Sequence, residues 1–395
     1  MNNRTSSSSM LIAEESGLSR IPSQSKEPGR KREWVPKLTS VLFFFILLGS
    51  GVLLGVMASL HMLGYFEGNV FTNHCRNGFS NWMPSNPTQE WLLPKSLHHE
   101  MGDEELLWRA SVTPQRAGLP ITRTPKIAFM FLTKGPLPLY KLWERYFKGH
   151  RDLFSVYVHA TPGFRLDVPY SSVFYGRQIP SQEARWGEMS MCDAERRLLA
   201  NALLDFSNER FVLLSESCIP VFNFTMFYDH VINSRASFVG AFDDPGPFGR
   251  GRYNPNMEPE VAVEQWRKGA QWFEVSRKHA VFIVSDTKYY PKFRDFCKPN
   301  CYVDEHYITT MMFIEFPNEI ANRSVTSVDW SRGGSHPAMF NKHDIRPELI
   351  QRIQDDRNCV LYGIPHQICY FFARKFSPNT LDPLLELAPK MLELE

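Results

Sequence analysis

The sequence has almost no excess charge of either sign: 44 Lys and Arg stand against 42 Asp and Glu, a formal net charge of +2. Nucleic-acid binders usually carry a strongly basic face or tail, so that class is set aside. Glycine is scarce, at 23 of 395 residues, and aromatic residues make up 13%. These values exclude a collagen-like or wholly disordered chain. Familiar catalytic signatures are missing too. There is no G-x-S-x-G elbow, no HExxH and no other H-x-x-x-H pair, which lowers the case for a hydrolase. Lys134-Gly135-Pro136 is too poor in glycine to cradle a phosphate as a kinase or sulfotransferase loop would. No dinucleotide-binding fingerprint, internal repeat or heptad pattern appears.

One long apolar run is present. No charged residue occurs from Leu38 to Phe66, and VLFFFILLGSGVLLGVMASLHML fills most of the interval. About 20 apolar residues suffice to cross a bilayer as a helix, and the run begins too far into the chain for a signal-peptide core. Arg4, Arg20, Lys26, Arg30, Lys31, Arg32 and Lys37 precede it, whereas the first Lys or Arg after it is Arg76. That asymmetry predicts a cytosolic N-terminus and a lumenal remainder, a single-pass type II topology. The predicted layout is a disordered tail at 1–37, a signal-anchor helix at 38–63, a stem at 64–120 and a catalytic domain at 121–395. A short tail, an anchor, a stem and a lumenal domain is a common layout of Golgi transferases.

All seven cysteines lie beyond the apolar run, where disulfides form readily. Seven is odd, so at least one thiol is free or pairs with another chain. Cys297 and Cys301 flank a short KPN segment and suit a small closed loop. Zinc on Cys297, Cys301 and His306 is the sharper alternative, but no further Cys/His pair completes a tetrahedral set. Asn223-Phe-Thr and Asn322-Arg-Ser are the two usable lumenal glycosylation sequons.

From Lys126 onward, apolar strand-like runs alternate with helical patterns. KIAFMFLT (126–133), LFSVYVHA (153–160), SVFYG (172–176) and RFVLLSES (210–217) read as strands. SFVGAF (237–242) and AQWFEVS (270–276) are further candidates. PLYKLWERYFKG and GEMSMCDAERRLLANALLDF (187–206) have helical spacing. This alternation predicts an α/β fold with a mostly parallel sheet flanked by helices, and ligands at the carboxyl ends of its strands.

For transfer chemistry, the strand end Leu213-Leu214-Ser215-Glu216-Ser217 lacks the Asp-x-Asp pair with which many nucleotide-sugar transferases hold a metal. Asp243-Asp244 could be a metal site, an acceptor contact or a solvated turn before Pro245-Gly246; adjacent side chains on an extended segment point to opposite faces, which puts the metal reading below the turn. Without a metal, Arg and Lys must face a leaving diphosphate. Arg357 and Lys375 are candidates for that task, though surface arginines and lysines are common. Asp304-Glu305-His306 is the most base-like cluster, and equally suits an ordinary helix N-terminus.

Six separated segments resemble the core-2/I-branching β-1,6-N-acetylglucosaminyltransferases, glycosyltransferase family 14. They are KIAFMFLTKGPLPLYKLWERYF, RWGEMSM, LLSESCIPVFNF, RKGAQWFEVSR, CYVDEHY and VDWSRGGSHP. The resemblance is closest to the plant, brittle-culm-type branch and leaves out the tail, anchor and stem. It implies a GT-A-type fold, a UDP-sugar donor, inversion at the anomeric carbon and no metal or other cofactor. It further implies that Glu305 is the catalytic base, that Arg357 and Lys375 neutralise the diphosphate, and that Trp330 stacks on the acceptor sugar. Arg185, Trp186 and Lys268 fall in segments near the donor pocket. Tyr157-Val158-His159 replaces the H-V-D of animal members, so a uridine or ribose contact there is lost or remade by His159. The loop 243–259 follows the plant pattern only.

The expectation is therefore a Golgi glycosyltransferase that moves N-acetylglucosamine in β-1,6 linkage from a UDP-sugar to a glycan or glycoprotein. Beside it stand an anchored receptor at the plasma membrane, with no UDP affinity, and two closer rivals. One has the same fold but uses UDP-glucuronic acid or UDP-xylose, in cell-wall or arabinogalactan-protein synthesis. The other is a non-catalytic Golgi scaffold, which would have no need of Glu305, Arg357 and Lys375 together.

Overall fold

The computed structural model describes residues 47–55, 57, 97–113, 123–298, 301–334 and 336–392. The chain divides into two compact units, Met1–Met83 and Pro84–Glu395. In the first, residues 47–55 and 57 are helical and exposed. No helix among the described residues is long and apolar enough to cross a membrane. The span expected at 38–63 lies mostly outside them, as do the tail 1–37, Cys75 and most of the stem 64–120.

The second unit is built on a four-stranded sheet of β1 (Lys126–Leu132), β2 (Phe154–His159), β3 (Asn208–Ser215) and β5 (Glu274–Ser276). The strand order is β2-β1-β3-β5. β1 runs parallel to both neighbours, and β5 pairs antiparallel with β3. The three parallel strands are almost continuously apolar because both faces are covered. On one face, Ala128, Met130 and Leu132 meet the residues of α1 (Asp103–Ser111), α3 (Met189–Leu203) and α5 (Arg277–Ser285). On the other, Phe129 is the hub of an aromatic core. Its ring centroid lies 4.8 Å from Phe147 of α2 (Tyr140–Phe147), 6.0 Å from Phe227 of α4 (Phe224–Ile232), and 6.3 Å from Phe372.

A smaller sheet, in the order β4-β9-β6, joins Ile219–Pro220 (β4), Thr326–Val328 (β6) and Phe372–Arg374 (β9). The hairpin of β7 (Val360–Leu361) and β8 (Ile364–Pro365) turns at Tyr362 and Gly363, both at positive φ. A Cys359–Cys369 disulfide closes this region, and a second joins Cys297 to Cys301. The small closed loop read from the sequence is thus present. Cys192 and Cys218 are buried free thiols.

Two expected strands differ. SVFYG is a run of turns, in which Ser172 N–H donates to Pro169 O (2.9 Å), Tyr175 N–H to Ser172 O (3.1 Å) and Arg177 N–H to Phe174 O (3.1 Å). Its apolar residue Phe174 plugs the core against Phe131 instead of pairing in the sheet. The next residues, 177–179, line the outer side of β2: Val158 N–H donates to Arg177 O and Val158 O accepts from Ile179 N–H, both 2.9 Å. SFVGAF is reduced to isolated bridges at Ser237, Phe238 and Phe242.

Beneath β3 and β5 lies a buried ion pair. Arg210 Nε and Nη2 donate to the two Glu274 oxygens at 2.7 and 2.6 Å, and Nη2 also donates to Ala236 O at 2.8 Å. Burial pushes the Glu274 carboxyl up and Arg210 opposes this. Removing one partner of a buried pair leaves an uncompensated charge, at a cost of about 3–5 kcal/mol. Arg210→Met should therefore lower unfolding free energy by about that amount in chemical denaturation, and Arg210→Met/Glu274→Leu should recover much of it.

Candidate active site

The helix α3 follows β2, so its amino-terminal half lies toward the carboxyl ends of the parallel strands. That half carries Cys192 and Glu195 and packs on the 3₁₀ turn Val303–Glu305, which precedes α7 (Tyr307–Glu315). The three residues of the Asp-Glu-His motif thereby enter three different environments.

Glu305 points to a partly open surface. Its Oε2 accepts from Arg252 Nη1 at 2.9 Å and lies 4.0 Å from Lys268 Nζ, while Oε1 has no hydrogen-bond partner among the described residues. The Glu305 side chain is 23% exposed. Asp304 is turned inward, with its Oδ1 buried and unpartnered. Burial first, and the Glu305 charge second, push its carboxyl up to about 7. Glu195, held by Gln271 Nε2 at 2.8 Å, is pushed well up by the same burial and by Asp304. His306 is buried, stacked on Trp266 at 4.5 Å, and donates Nδ1–H to Arg267 O at 2.7 Å. Burial drives its pKa down to about 3, so it stays neutral.

The cations reach Glu305 because two backbones touch. Phe242 and Lys268 exchange N–H···O bonds of 2.8 and 2.9 Å, and Gly269 N–H donates to Glu305 O at 2.9 Å. A Cβ at position 269 would lie 2.0 Å from Gly240 O and 2.7 Å from Thr309 Oγ1, so only glycine fits. Arg252 arrives from the loop 243–259 and stacks over Tyr302 at 4.4 Å. Tyr302 holds φ 55°, a left-handed conformation costing about 1–3 kcal/mol for such a residue. Its ring meets Trp186 at 4.8 Å, and Trp186 meets His336 at 5.3 Å. An aromatic wall of Trp186, Tyr302 and His336 thus stands beside the carboxylate.

The other expected residues are placed as follows. Lys375 directly follows β9, where Phe376 N–H donates to Ser217 O beyond the end of β3 and Phe340 N–H donates to Lys375 O. Trp330, 50% exposed, lies just past β6, whose Val328 is in register with Arg374. Lys375 and Trp330 therefore leave neighbouring strands. Arg357 is exposed in the loop after α8 (Pro347–Gln354), and no hydrogen bond or ion pair joins it to Lys375. Neither cation has a carboxylate partner among the described residues. Arg185 is exposed and pairs with Glu183 at 3.0 Å. His159, the last residue of β2, is buried, accepts weakly from Gln182 N–H at 3.4 Å, and is pushed down to about 4 by burial. Asn223 caps α4, accepting from Met226 N–H at 2.9 Å. Asn322 is exposed and accepts from Ala241 N–H at 2.7 Å.

Asp243 and Asp244 are both engaged within their own loop. Asp243 takes both Arg250 nitrogens at 2.8 and 2.7 Å, and Asp244 Oδ1 accepts from Gly246 N–H at 2.8 Å. Among the described residues no group of three His, Cys, Asp or Glu side chains is placed to hold a metal. Arg252, Tyr302 and His336 were not anticipated. The only signal of Arg252 was a basic residue in an irregular loop, 53 positions from its partner.

Asp304 yields a pH prediction. Its folded pKa, about 7, lies above its ordinary 3.8, so the folded state holds more protons between those values and stability falls as pH rises. That contribution is complete below about pH 4 and lost as pH rises through about 7. Asp304→Asn cannot ionise, so the melting temperature of the variant minus that of wild type should grow steadily across this window.

Comparison with known proteins is consistent with this arrangement. Residues 127–354 match the Core-2/I-Branching enzyme family. Glycosyltransferase BC10 of Oryza sativa subsp. japonica is 37% identical over 309 residues, covering 67% of this chain and 76% of the relative. Mixed α/β architecture, a parallel-dominated sheet and matching sequence lead to one conclusion: the chain belongs to the Core-2/I-branching family of glycosyltransferases.

Proposed function

We propose that the chain is an inverting, metal-independent transferase of GT-A type. It moves a sugar, best read as N-acetylglucosamine in β-1,6 linkage, from a UDP-sugar to a glycan or glycoprotein acceptor. The observation that carries this reading is the Glu305 carboxylate at a partly open surface, with one oxygen facing Arg252 and Lys268 and the other without a hydrogen-bond partner among the described residues. Glu305 Oε1 takes the proton of an acceptor hydroxyl, whose oxygen bonds to the anomeric carbon from the face opposite UDP. The bond from that carbon to the β-phosphate oxygen breaks, and UDP leaves with the electron pair. Arg357 and Lys375, without a carboxylate partner among the described residues, offset the charge on the departing diphosphate. Trp330 and the wall around Trp186 offer flat apolar faces to sugar rings.

The same reading places the enzyme in the Golgi lumen on a type II anchor at 38–63. The apolar run, the Lys/Arg asymmetry before it and the two disulfides support this. Asn223 and Asn322 are the proposed glycan acceptors on that side.

UDP release by the purified full chain, against a panel of UDP-sugars including UDP-glucuronic acid and UDP-xylose, tests the proposal and names the donor. Glu305→Gln should lower turnover by about 10² to 10⁴ while UDP still binds. Turnover near wild type in that variant would remove Glu305 from its role. EDTA should leave the rate unchanged; complete loss would return the diphosphate role to a metal. Arg252→Ala should lower kcat without weakening UDP binding, because Arg252 holds the base and not the donor.

A further inference from the structure

A second concave site lies at the other end of the sheet. A cleft of about 440 Å³ is lined by Lys126, Arg151, Arg177, Asp205, Tyr170 and neighbouring serines. Lys126 is the first residue of β1, and Phe154 to Tyr157 of the cleft wall open β2. The proposed catalytic groups lie beyond the carboxyl ends of these strands. Lys126 and Leu132 are six steps apart on an extended strand, about 20 Å at the usual rise per residue.

The charge of the cleft is its first distinguishing property. Three cations face one carboxylate, and Asp205 is already engaged: its Oδ1 accepts from Ser207 N–H at 2.8 Å and its Oδ2 lies 4.0 Å from Lys126 Nζ. Arg151 is exposed and has no carboxylate partner among the described residues. Arg177 spends Nε on Val156 O at 2.7 Å and lays its guanidinium over the Tyr157 ring at 5.2 Å, which fixes the fork in place. The excess over Asp205 is two positive charges, which favours an anion in the cleft.

The aromatic side is the second property. Tyr170 is 83% exposed, yet its ring is buttressed by Tyr175 at 4.4 Å. A solvent-facing tyrosine beside a fixed guanidinium (Arg177) and an exposed one (Arg151) suits a ligand with flat apolar C–H faces and carboxylates at intervals. Arginine matches carboxylate geometry with paired N–H donors, and the volume falls within the range of about 300–1,000 Å³ usual for ligand sites. A free phosphate would use the cations and leave Tyr170 without a role.

We propose that this cleft is a secondary binding site for an acidic oligosaccharide, one whose sugar rings carry carboxylates, separate from the site of Glu305. The inference rests on the cleft alone and does not require the catalytic reading.

The test is calorimetric titration of the purified full chain with a linear tetragalacturonate and with its fully methyl-esterified form, each with and without saturating UDP. The acid tetramer should bind at one site, at least tenfold more tightly than the ester, and UDP should not displace it. Arg151→Ala and Tyr170→Ala, both at exposed side chains, should each weaken it about tenfold while melting temperature stays unchanged. Glu305→Gln should leave it untouched. Equal binding of acid and ester, displacement by UDP, indifference to both cleft substitutions, or no binding of either tetramer would overturn the proposal. If Glu305→Gln keeps its turnover but the cleft variants lose the acid tetramer, the catalytic reading falls and this one stands.

Discussion

The contact between two glycine backbones, at 240 and 269, sets the geometry of the candidate active site. No side chain fits on residue 269, since a Cβ there would stand 2.0 Å from Gly240 O. The approach lets Lys268 pair with Phe242, and it brings Gly269 N–H onto the carbonyl of Glu305. The cation and the carboxylate are thus tied through main chain, without relying on flexible side chains to find each other.

Two adjacent carboxylates then separate by environment. Glu305 faces a guanidinium, an ammonium and solvent; Asp304, one residue earlier, faces the buried Glu195 and Cys192 and is pushed toward the protonated form. A 3₁₀ turn makes this possible, because consecutive residues on it point in different directions. Asp304, its pKa raised by burial, and neutral His306 pack the turn from within, and Glu305 is the side chain the motif presents outward.

Much of the fold was legible because β1, β2 and β3 are covered on both faces and read as unbroken apolar runs. SVFYG misled because Phe174 is apolar for another reason: it seals the core from a turn. Glu305 and Lys268 sat in motifs with a recognisable pattern, and the structure brings them within 4.0 Å. Arg252 was illegible, since its partner is 53 residues away and no local periodicity links the two. The Cys359–Cys369 link was hidden for the same reason, as pairing among seven cysteines is a question of three-dimensional proximity. Trp186 was seen as part of a segment, but its neighbour His336 comes from a loop whose path only the fold reveals.

The segment that runs beside β2 has a consequence of another kind. An open sheet edge is a row of unused N–H and C=O groups onto which a strand from another molecule readily docks. Here Arg177 O and Ile179 N–H occupy both backbone groups of Val158, and the Arg177 side chain takes Val156 O. At the opposite edge, Phe238 exchanges both of its backbone bonds with Glu274 of β5. At these positions of the main sheet the edge groups are already occupied, which narrows the stretch onto which a strand from another molecule could pair.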